Sequence, residues 1–291
     1  MDLQKLKKRA SYPFETIAVA ITFSPRLEAI IAEAANITAI LKANIIFIHV
    51  GVKTTDKEEL VESYLLKYSI DKNKTRVIWI DGDPVDSILE LCKLNIVDLL
   101  ILGALEKETL VKYYLGSVAR TISRKAKTSI LLLTHPLTQP KKLKKIVING
   151  VENPKTIHTL NTALYLANSL NINELTLVKE LDVSALAMTI SDSRTAPEVS
   201  KIKRNMQGSE ELKLHHIVEQ SNNMPITIHE KTISGKAGYA ISNYSKNKHA
   251  DLLIVNSPDT HLTLLDRIFT HDIEYILANL PCNLLIVHSR I

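Results

Sequence analysis

Two glycines and a serine have the types and spacing that suit phosphate binding. Gly103 follows the apolar run Leu99 to Leu102, a pattern typical of a buried parallel strand. Gly116 and Ser117 come further along and precede an apolar-periodic run that predicts a helix. The free backbone N–H groups and the dipole at a helix start favour an anion. The stretch therefore predicts a strand, a loop and a helix whose first turn can face a phosphate.

The same stretch resembles the nucleotide motif of the universal stress protein family. That motif is Gly, two residues, Gly, nine residues, Gly, and Ser or Thr, and Gly103, Gly116 and Ser117 match it at full spacing. Glu106 is the departure, because the nucleotide binders of the family have glycine there. The continuation GSVARTISRKAKTSILLL is also similar to the last helix and strand of the family. The resemblance implies an adenine nucleotide, ATP or AMP with Mg²⁺, as the ligand of this part of the chain.

Position by position, the resemblance assigns a role to each residue of the implied site. Thr22 stands where nucleotide binders hold the ribose with an aspartate, and a hydroxyl cannot make the bidentate pair that a carboxylate gives to a diol. Val50, after His49, would contact adenine through its backbone. Two residues would flank the base and ribose, Leu102 and Gly103. Five would surround the phosphates: Leu105, Glu106, Gly116, Ser117 and Val118.

Two of these residues have competing interpretations. The Ser117 side chain suits a helix cap at least as well as a phosphate contact. Like charges about 4 Å apart cost roughly 1 kcal/mol in water and about 4 kcal/mol near a protein surface, so Glu106 should weaken ATP binding. Magnesium or a nearby cation, such as Lys107, Lys112 or Arg120, would offset that cost. Glu106 could instead help to hold the metal, although exposure to solvent is the simpler interpretation.

Length and composition indicate two globular domains. The chain has 291 residues, of which 45% are hydrophobic and 23% charged, enough for two cores. We place the domains at residues 1–137 and 138–291. No apolar run is long enough for a membrane helix and the amino end lacks a signal-peptide core, so a cytoplasmic location without membrane partners is expected. Cys92 and Cys282 fall in different halves, which favours inert thiols over a disulfide framework.

The net charge of +5 does not indicate nucleic-acid binding. The basic residues concentrate in the first ten residues and in the KKLKK segment before Ile146, and the remainder is slightly acidic. Aromatic residues make up only 5% of the chain, which offers little for base stacking. Nucleic acid is therefore an unlikely partner.

The second half repeats the first. IVINGVENP, from Ile146, matches IAVAITFSP, from Ile17, and Ile80 to His135 matches Ile233 to His288 at constant spacing. Each copy alternates strands and helices, which predicts an α/β fold with a five-stranded parallel sheet per domain, and the resemblance makes these tandem Rossmann-like (adenine nucleotide alpha hydrolase-like) domains. The second copy carries an insertion at about 181–225, including a helix. It builds either a lid or partner surface or, as we favour, a tolerated surface elaboration.

The motif is lost in the second copy, where no cofactor is expected. There Asn256, Asp259, Phe269 and Thr270 align with Gly103, Glu106, Gly116 and Ser117, so a bulky ring replaces the phosphate-facing glycine. Neither half offers a nucleophile, base and acid set, and the histidines and aspartates of the second half fit no compact metal motif.

The sequence thus predicts a universal stress protein that is a non-catalytic binding or regulatory module in the stress response. It has at most one weak adenine-nucleotide site. The alternatives are a weak ATP hydrolase or phosphate-transfer enzyme using that site, and a ligand-free scaffold. The last strands, Ile130 to Leu133 and Leu284 to Val287, should pair and make the copies an intramolecular pseudo-dimer. A homodimer and an unknown protein partner remain open.

Overall fold

One large sheet, with helices on both faces, organises the chain. The computed structural model describes residues 11–106, 113–181, 196–221, 224–258 and 271–288. The elements of the first half are β1 (Thr16–Ala20), α1 (Leu27–Leu41), β2 (Asn44–Val50), α2 (Thr55–Lys67), β3 (Thr75–Ile80), α3 (Pro84–Leu94), β4 (Leu99–Gly103), the short strands β5 (Leu105–Glu106) and β6 (Tyr113–Tyr114), α4 (Ser117–Lys125) and β7 (Ser129–Leu133).

The second half repeats this order without the short hairpin among its described residues. Its elements are β8 (Ile146–Asn149), α5 (Thr156–Leu170), β9 (Glu174–Leu181), α6 (Ala196–Glu219), β10 (Thr227–Ser234), α7 (Tyr239–Asn247), β11 (Leu252–Asn256), α8 (His271–Ala278) and β12 (Asn283–Val287). Within the described ranges, no helix combines the length and apolar character needed to cross a membrane.

The two five-stranded sets form a single sheet. Its strand order is β10-β9-β8-β11-β12-β7-β4-β1-β2-β3, and the pairs within each half are parallel. The halves join through β12 and β7, which pair antiparallel. The α/β prediction is confirmed, as is the pairing of the two last strands, but the two predicted sheets are continuous. The inner strands are Ile-, Leu- and Val-rich runs because both faces of the sheet are covered there.

The register at the junction is symmetric about one residue pair. Leu131 lies opposite Leu285, and the flanking pairs are Leu132 with Leu284 and Ile130 with Ile286. The polar contacts repeat the symmetry: the Thr134 backbone N–H donates to Asn283 Oδ1 (3.0 Å), and the His288 N–H donates to Ser129 Oγ (3.1 Å).

This register corrects the sequence repeat by one residue. Gly103 pairs with Leu133, and Asn256 pairs with Val287, so Leu133 corresponds to Val287 and not to Ile286. The shift was invisible in the sequence because both last strands are uniformly apolar, and a slip of one residue leaves the pattern unchanged.

The inserted segment is only partly a surface elaboration. Leu214 in α6 is fully buried, and its Cδ2 would lie 2.7 Å from a Cβ at Gly150, at the carboxyl end of β8. Ile217 and Val218 pack on the same core. The carboxyl-terminal part of α6 therefore covers the sheet as α2 does with Val61 and Leu65. The remainder of the insertion, residues 182–195, lies outside the described residues.

Candidate functional site

Three adjacent strands bring the front of the predicted site together. The order β4-β1-β2 places Gly103, Thr22 and Val50 along the same carboxyl edge of the sheet, where α/β folds bind ligands. Thr22 is exposed, and Val50 is half-buried. The Leu102 side chain is 4% exposed and belongs to the core, so only its backbone faces this edge.

A two-stranded hairpin leads from Gly103 to the helix start. Leu105 pairs with Tyr114 and Glu106 with Tyr113, so Gly103 and Gly116 each lie two residues outside the first pair. The hairpin therefore returns the chain to the edge where β4 ends. The side chains of Leu105 and Glu106 and all of residues 107–112 lie outside what the structure describes, and this includes Lys107 and Lys112.

Helix α4 begins with a glycine at its N-cap. Gly116 has φ −61° and ψ 161°, and within the described residues the cap makes no side-chain hydrogen bond to the first turn. Ser117 is the first helical residue and is exposed, and Val118 is 37% exposed. The cap interpretation of Ser117 is therefore wrong. The backbone N–H groups of this turn suit an anion, because the helix dipole adds partial positive charge there.

Packing alone gives a reason for glycine at position 103. A Cβ there would lie 2.6 Å from Cδ1 of Ile30 in α1. Ile30 is 8% exposed and belongs to the core, so it fills the α1 side of Gly103. A ligand must therefore approach Gly103 from the strand end and not from the α1 side.

Arg26, which the sequence patterns did not single out, ties the ends of two strands together. Its Nη1 donates to Ala104 O (2.5 Å) and its Nη2 to Thr134 O (2.7 Å). Lys155 takes the same place before α5, and its Nζ lies 3.4 Å from Ser257 O. A basic residue directly before the first helix of each copy was the available signal.

A buried histidine fixes the strand end that precedes Val50. His49 Nδ1 lies 3.1 Å from Ile21 O, and since a carbonyl only accepts, Nδ1 carries the proton. Nε2 is then an acceptor, and it is buried without a partner among the described residues. The ring packs edge-on against Phe23 (4.8 Å) and Trp79 (5.2 Å), which stack on each other at 5.8 Å. This aromatic cluster holds β1, β2 and β3 together beside the candidate site.

The corresponding edge of the second half has different chemistry. Asn256 occupies the place of Gly103, and its carboxamide is held by α5: Thr159 Oγ1 lies 2.5 Å from Oδ1, and Nδ2 donates to Thr156 Oγ1 (3.0 Å). Asn149 and Ser257 stand where the first half has alanines at 20 and 104, and each has a buried side-chain oxygen without a described partner.

The predicted alignment of Phe269 with Gly116 and of Thr270 with Ser117 stays a prediction, because Asp259, Phe269 and Thr270 lie outside the described residues, which resume at His271 in α8. The sequence from 259 to 270 contains no glycine.

Both cysteines have raised pKa values. Cys92 and Cys282 are free thiols, and burial raises the pKa of each to about 12. Among the residues that the structure describes, no group of three or more His, Cys, Asp or Glu side chains is placed to hold a metal ion.

Comparison with known proteins agrees with the motif and the fold. Residues 13–134 match the family model of the universal stress protein family. The first half of the chain therefore carries a universal stress protein domain. The match covers β1 to β7 and ends just beyond β7, so it contains every residue of the candidate site. No curated protein matches the chain.

Solved structures share the whole fold at low sequence identity. A functionally unknown protein from Pseudomonas aeruginosa PAO1 is similar with a TM-score of 0.67 and 14% identity, over 99% of this chain and 95% of that one. A universal stress protein from Archaeoglobus fulgidus DSM 4304 gives 0.63 and 14%, over 96% of this chain and 100% of that one. The double-length arrangement is therefore shared with other proteins, including one named as a universal stress protein.

Proposed function

We propose that the chain is a non-catalytic nucleotide-binding module of the stress response. In this proposal the first half binds one adenine nucleotide, ATP or AMP with magnesium, at the carboxyl edge of β4, β1 and β2. The backbones of Val50 and Gly103 contact the base and ribose, and the α4 start receives a phosphate. The proposal keeps the cytoplasmic location expected from the sequence.

One observation carries the proposal: α4 begins at the edge where β4 ends in Gly103, and its N-cap, Gly116, makes no side-chain hydrogen bond within the described residues. Such a helix start leaves N–H groups that a phosphate satisfies. The match of the first half to the universal stress protein family supports the nucleotide assignment, because Gly103, Gly116 and Ser117 match the motif of its nucleotide binders.

The second half serves the assembly and not the nucleotide. We propose that residues 1–137 and 138–291 are two domains that form an intramolecular pseudo-dimer, supported by the symmetric register about Leu131 and Leu285. The carboxamide of Asn256 is committed to Thr156 and Thr159, and it occupies the place of the ligand-facing glycine.

A ligand-free scaffold is the second candidate, and the Ile30 contact favours it. If position 103 is glycine only because a Cβ would meet Ile30, packing alone explains this residue of the motif, and no ligand is needed to explain it. Calorimetric titration separates the two candidates, because only a nucleotide-binding module gives a heat of binding when ATP or AMP is added.

The test is calorimetric titration of the full chain with ATP and AMP, with and without magnesium. One weak site per chain is expected. Glu106→Gly should tighten ATP by about 1 to 3 kcal/mol by removing a negative charge beside the phosphates. Gly116→Phe should abolish binding. Gly208→Phe is the matched control, since a Cβ at Gly208 meets nothing within 4 Å.

Four outcomes would contradict the proposal. Absence of binding by the wild type leaves the scaffold. Equal ATP affinity in the wild type and in Glu106→Gly removes the electrostatic argument, and two sites per chain refute the asymmetry between the halves. Accumulation of ADP that Gly116→Phe prevents would identify a hydrolase.

A further inference from the structure

The two edge strands of the sheet, β10 and β3, differ in polarity. The strand register aligns Glu230, Lys231 and Thr232 of β10 with three apolar residues of β3, Val77, Ile78 and Trp79. Charged residues on an edge strand prevent association with another strand. The edge of the second half has this protection, and the edge of the first half does not.

Strand β3 is an incompletely covered apolar edge. Within the described chain it pairs only with β2, so the backbone groups on its other side have no strand partner. Val77, Ile78, Trp79 and Ile80 are four consecutive apolar residues, and all four are only partly buried. Arg76 is the one charged residue of the strand. Such a strand is a template for a further strand.

A groove runs beside this edge. It has a volume of about 280 Å³ and lies between α2 and β3, with Val61, Leu65, Val77 and Trp79 among its lining residues. In the second half the longer helix α6 packs on the corresponding side of the sheet with Leu214. Charged residues also line the groove, namely Lys53, Glu58, Glu62 and Lys72, so it has an apolar floor and a charged rim beside β3.

We infer that β3 pairs antiparallel with β3 of a second copy of this chain. The sheet already continues in this way inside the molecule, where β7 and β12 pair about a residue-centred axis at Leu131 and Leu285. A twofold axis centred on Ile78 repeats that geometry. It sets Val77 of each copy opposite Trp79 of the other on the groove side, an aromatic and β-branched pair that stabilises antiparallel strands.

The charges around the groove fit a second copy. Lys53 pairs with Glu58 (2.6 Å) and Lys72 with Glu62 (3.6 Å), and all four side chains are about half exposed or more. Each pair is neutral, so a twofold axis that brings the Lys53 pair of one copy towards the Lys72 pair of the other adds no net repulsion. A peptide partner would need a charge pattern matched to this rim, whereas a second copy supplies both signs at both ends.

Sedimentation equilibrium over a wide range of concentrations tests this inference. The wild type should form dimers, and Ile78→Lys should sediment as a monomer, because it places on β3 the residue that β10 carries at the same position. Lys231→Glu is the matched control on the opposite edge, and it should leave the wild-type mass unchanged. Thermal unfolding of each variant shows whether Ile78→Lys remains folded.

A second measurement does not depend on a variant. Trp79 is the single tryptophan of the chain, so its emission reports this edge alone. Dilution of the dimer should shift the emission to longer wavelength in step with the loss of mass. A monomer at all concentrations, a dimer that survives Ile78→Lys, or an emission that ignores dilution would each overturn the inference.

Discussion

Thr159 Oγ1 lies 2.5 Å from Asn256 Oδ1, at the place where the first half packs Ile30 against Gly103. The helices α1 and α5 and the strands β4 and β11 correspond residue by residue, so both members of the pair have changed together. An apolar side chain against a glycine has become a hydroxyl against a carboxamide.

Thr159→Val should therefore destabilise the protein by about 1–3 kcal/mol, because it leaves a carboxamide oxygen without its donor. Thr159 is fully buried, and a valine side chain fills the same space without a donor. Denaturant unfolding measures the loss. Thr121→Val is the control, since the Thr121 hydroxyl donates to the Ser117 carbonyl of α4 in an exposed hydrogen bond. A loss of more than about 0.5 kcal/mol in this control would mean that replacing a helical threonine by valine is itself destabilising, apart from the bond to Asn256.

Gly103→Ala should cost about 1–3 kcal/mol through overpacking against Ile30. The double variant Gly103→Ala with Ile30→Val should recover most of this stability, because it removes the methyl group that the new Cβ meets. Unfolding curves of both variants decide the matter. A double variant no more stable than Gly103→Ala would assign the cost to something other than Ile30.

Thr22→Asp should strengthen ATP binding tenfold or more, since a carboxylate accepts both hydroxyls of a ribose and such charged hydrogen bonds contribute about 1.5–3 kcal/mol. Calorimetry measures the affinity. Val151→Asp makes the corresponding change in the second half and should add no site. A gain from Val151→Asp equal to that from Thr22→Asp would mean that the second half also binds nucleotide.

Leu214→Ala should destabilise the protein by about 2–5 kcal/mol, the usual effect of a cavity at a fully buried leucine. Leu212, on the same helix, is 73% exposed, and Leu212→Ala should change stability by less than about 0.5 kcal/mol. Deletion of Ser184 to Ser193 should also leave the fold intact. If the deletion costs as much as Leu214→Ala in thermal unfolding, that loop belongs to the core.

The stability of the wild type relative to Glu33→Gln should depend on pH. Burial raises the pKa of Glu33 above its ordinary value of 4.5, although the Leu137 N–H donates to its Oε1. Between pH 4.5 and the raised pKa, the folded protein binds more protons at Glu33 than the unfolded chain does. The free energy of unfolding of the wild type therefore falls as the pH rises through that window. Glu33→Gln should be the more stable protein at neutral pH, with the difference vanishing below pH 4.5. Urea unfolding of the wild type and of Glu33→Gln, at neutral pH and below pH 4.5, measures this difference. The same difference at both pH values would contradict the raised pKa of Glu33.

Most strands could be predicted from the sequence because each is a short apolar run between helix-periodic segments. Their continuation in one ten-stranded sheet could not, because apolar runs do not specify how two sheets join. The prediction that Ser117 caps the helix was wrong because both glycine and serine occur at N-cap positions. The sequence does not say whether the helix begins at Gly116 or at Ser117. Arg26 was missed because its partners are backbone carbonyls, Ala104 O and Thr134 O, which any residue type provides, so the matching Lys155 was the one signal in the repeat.

The antiparallel junction of β7 and β12 lies within one chain, so the carboxyl edges of the two halves can differ in sequence. In a symmetric homodimer each substitution appears at both edges at once, so neither can change without the other. Here the edges are encoded separately, and they point in opposite directions because the strands of the two halves run antiparallel. One edge can therefore keep Gly103 while the other has Asn256, and the two carboxyl edges of the one sheet can change independently.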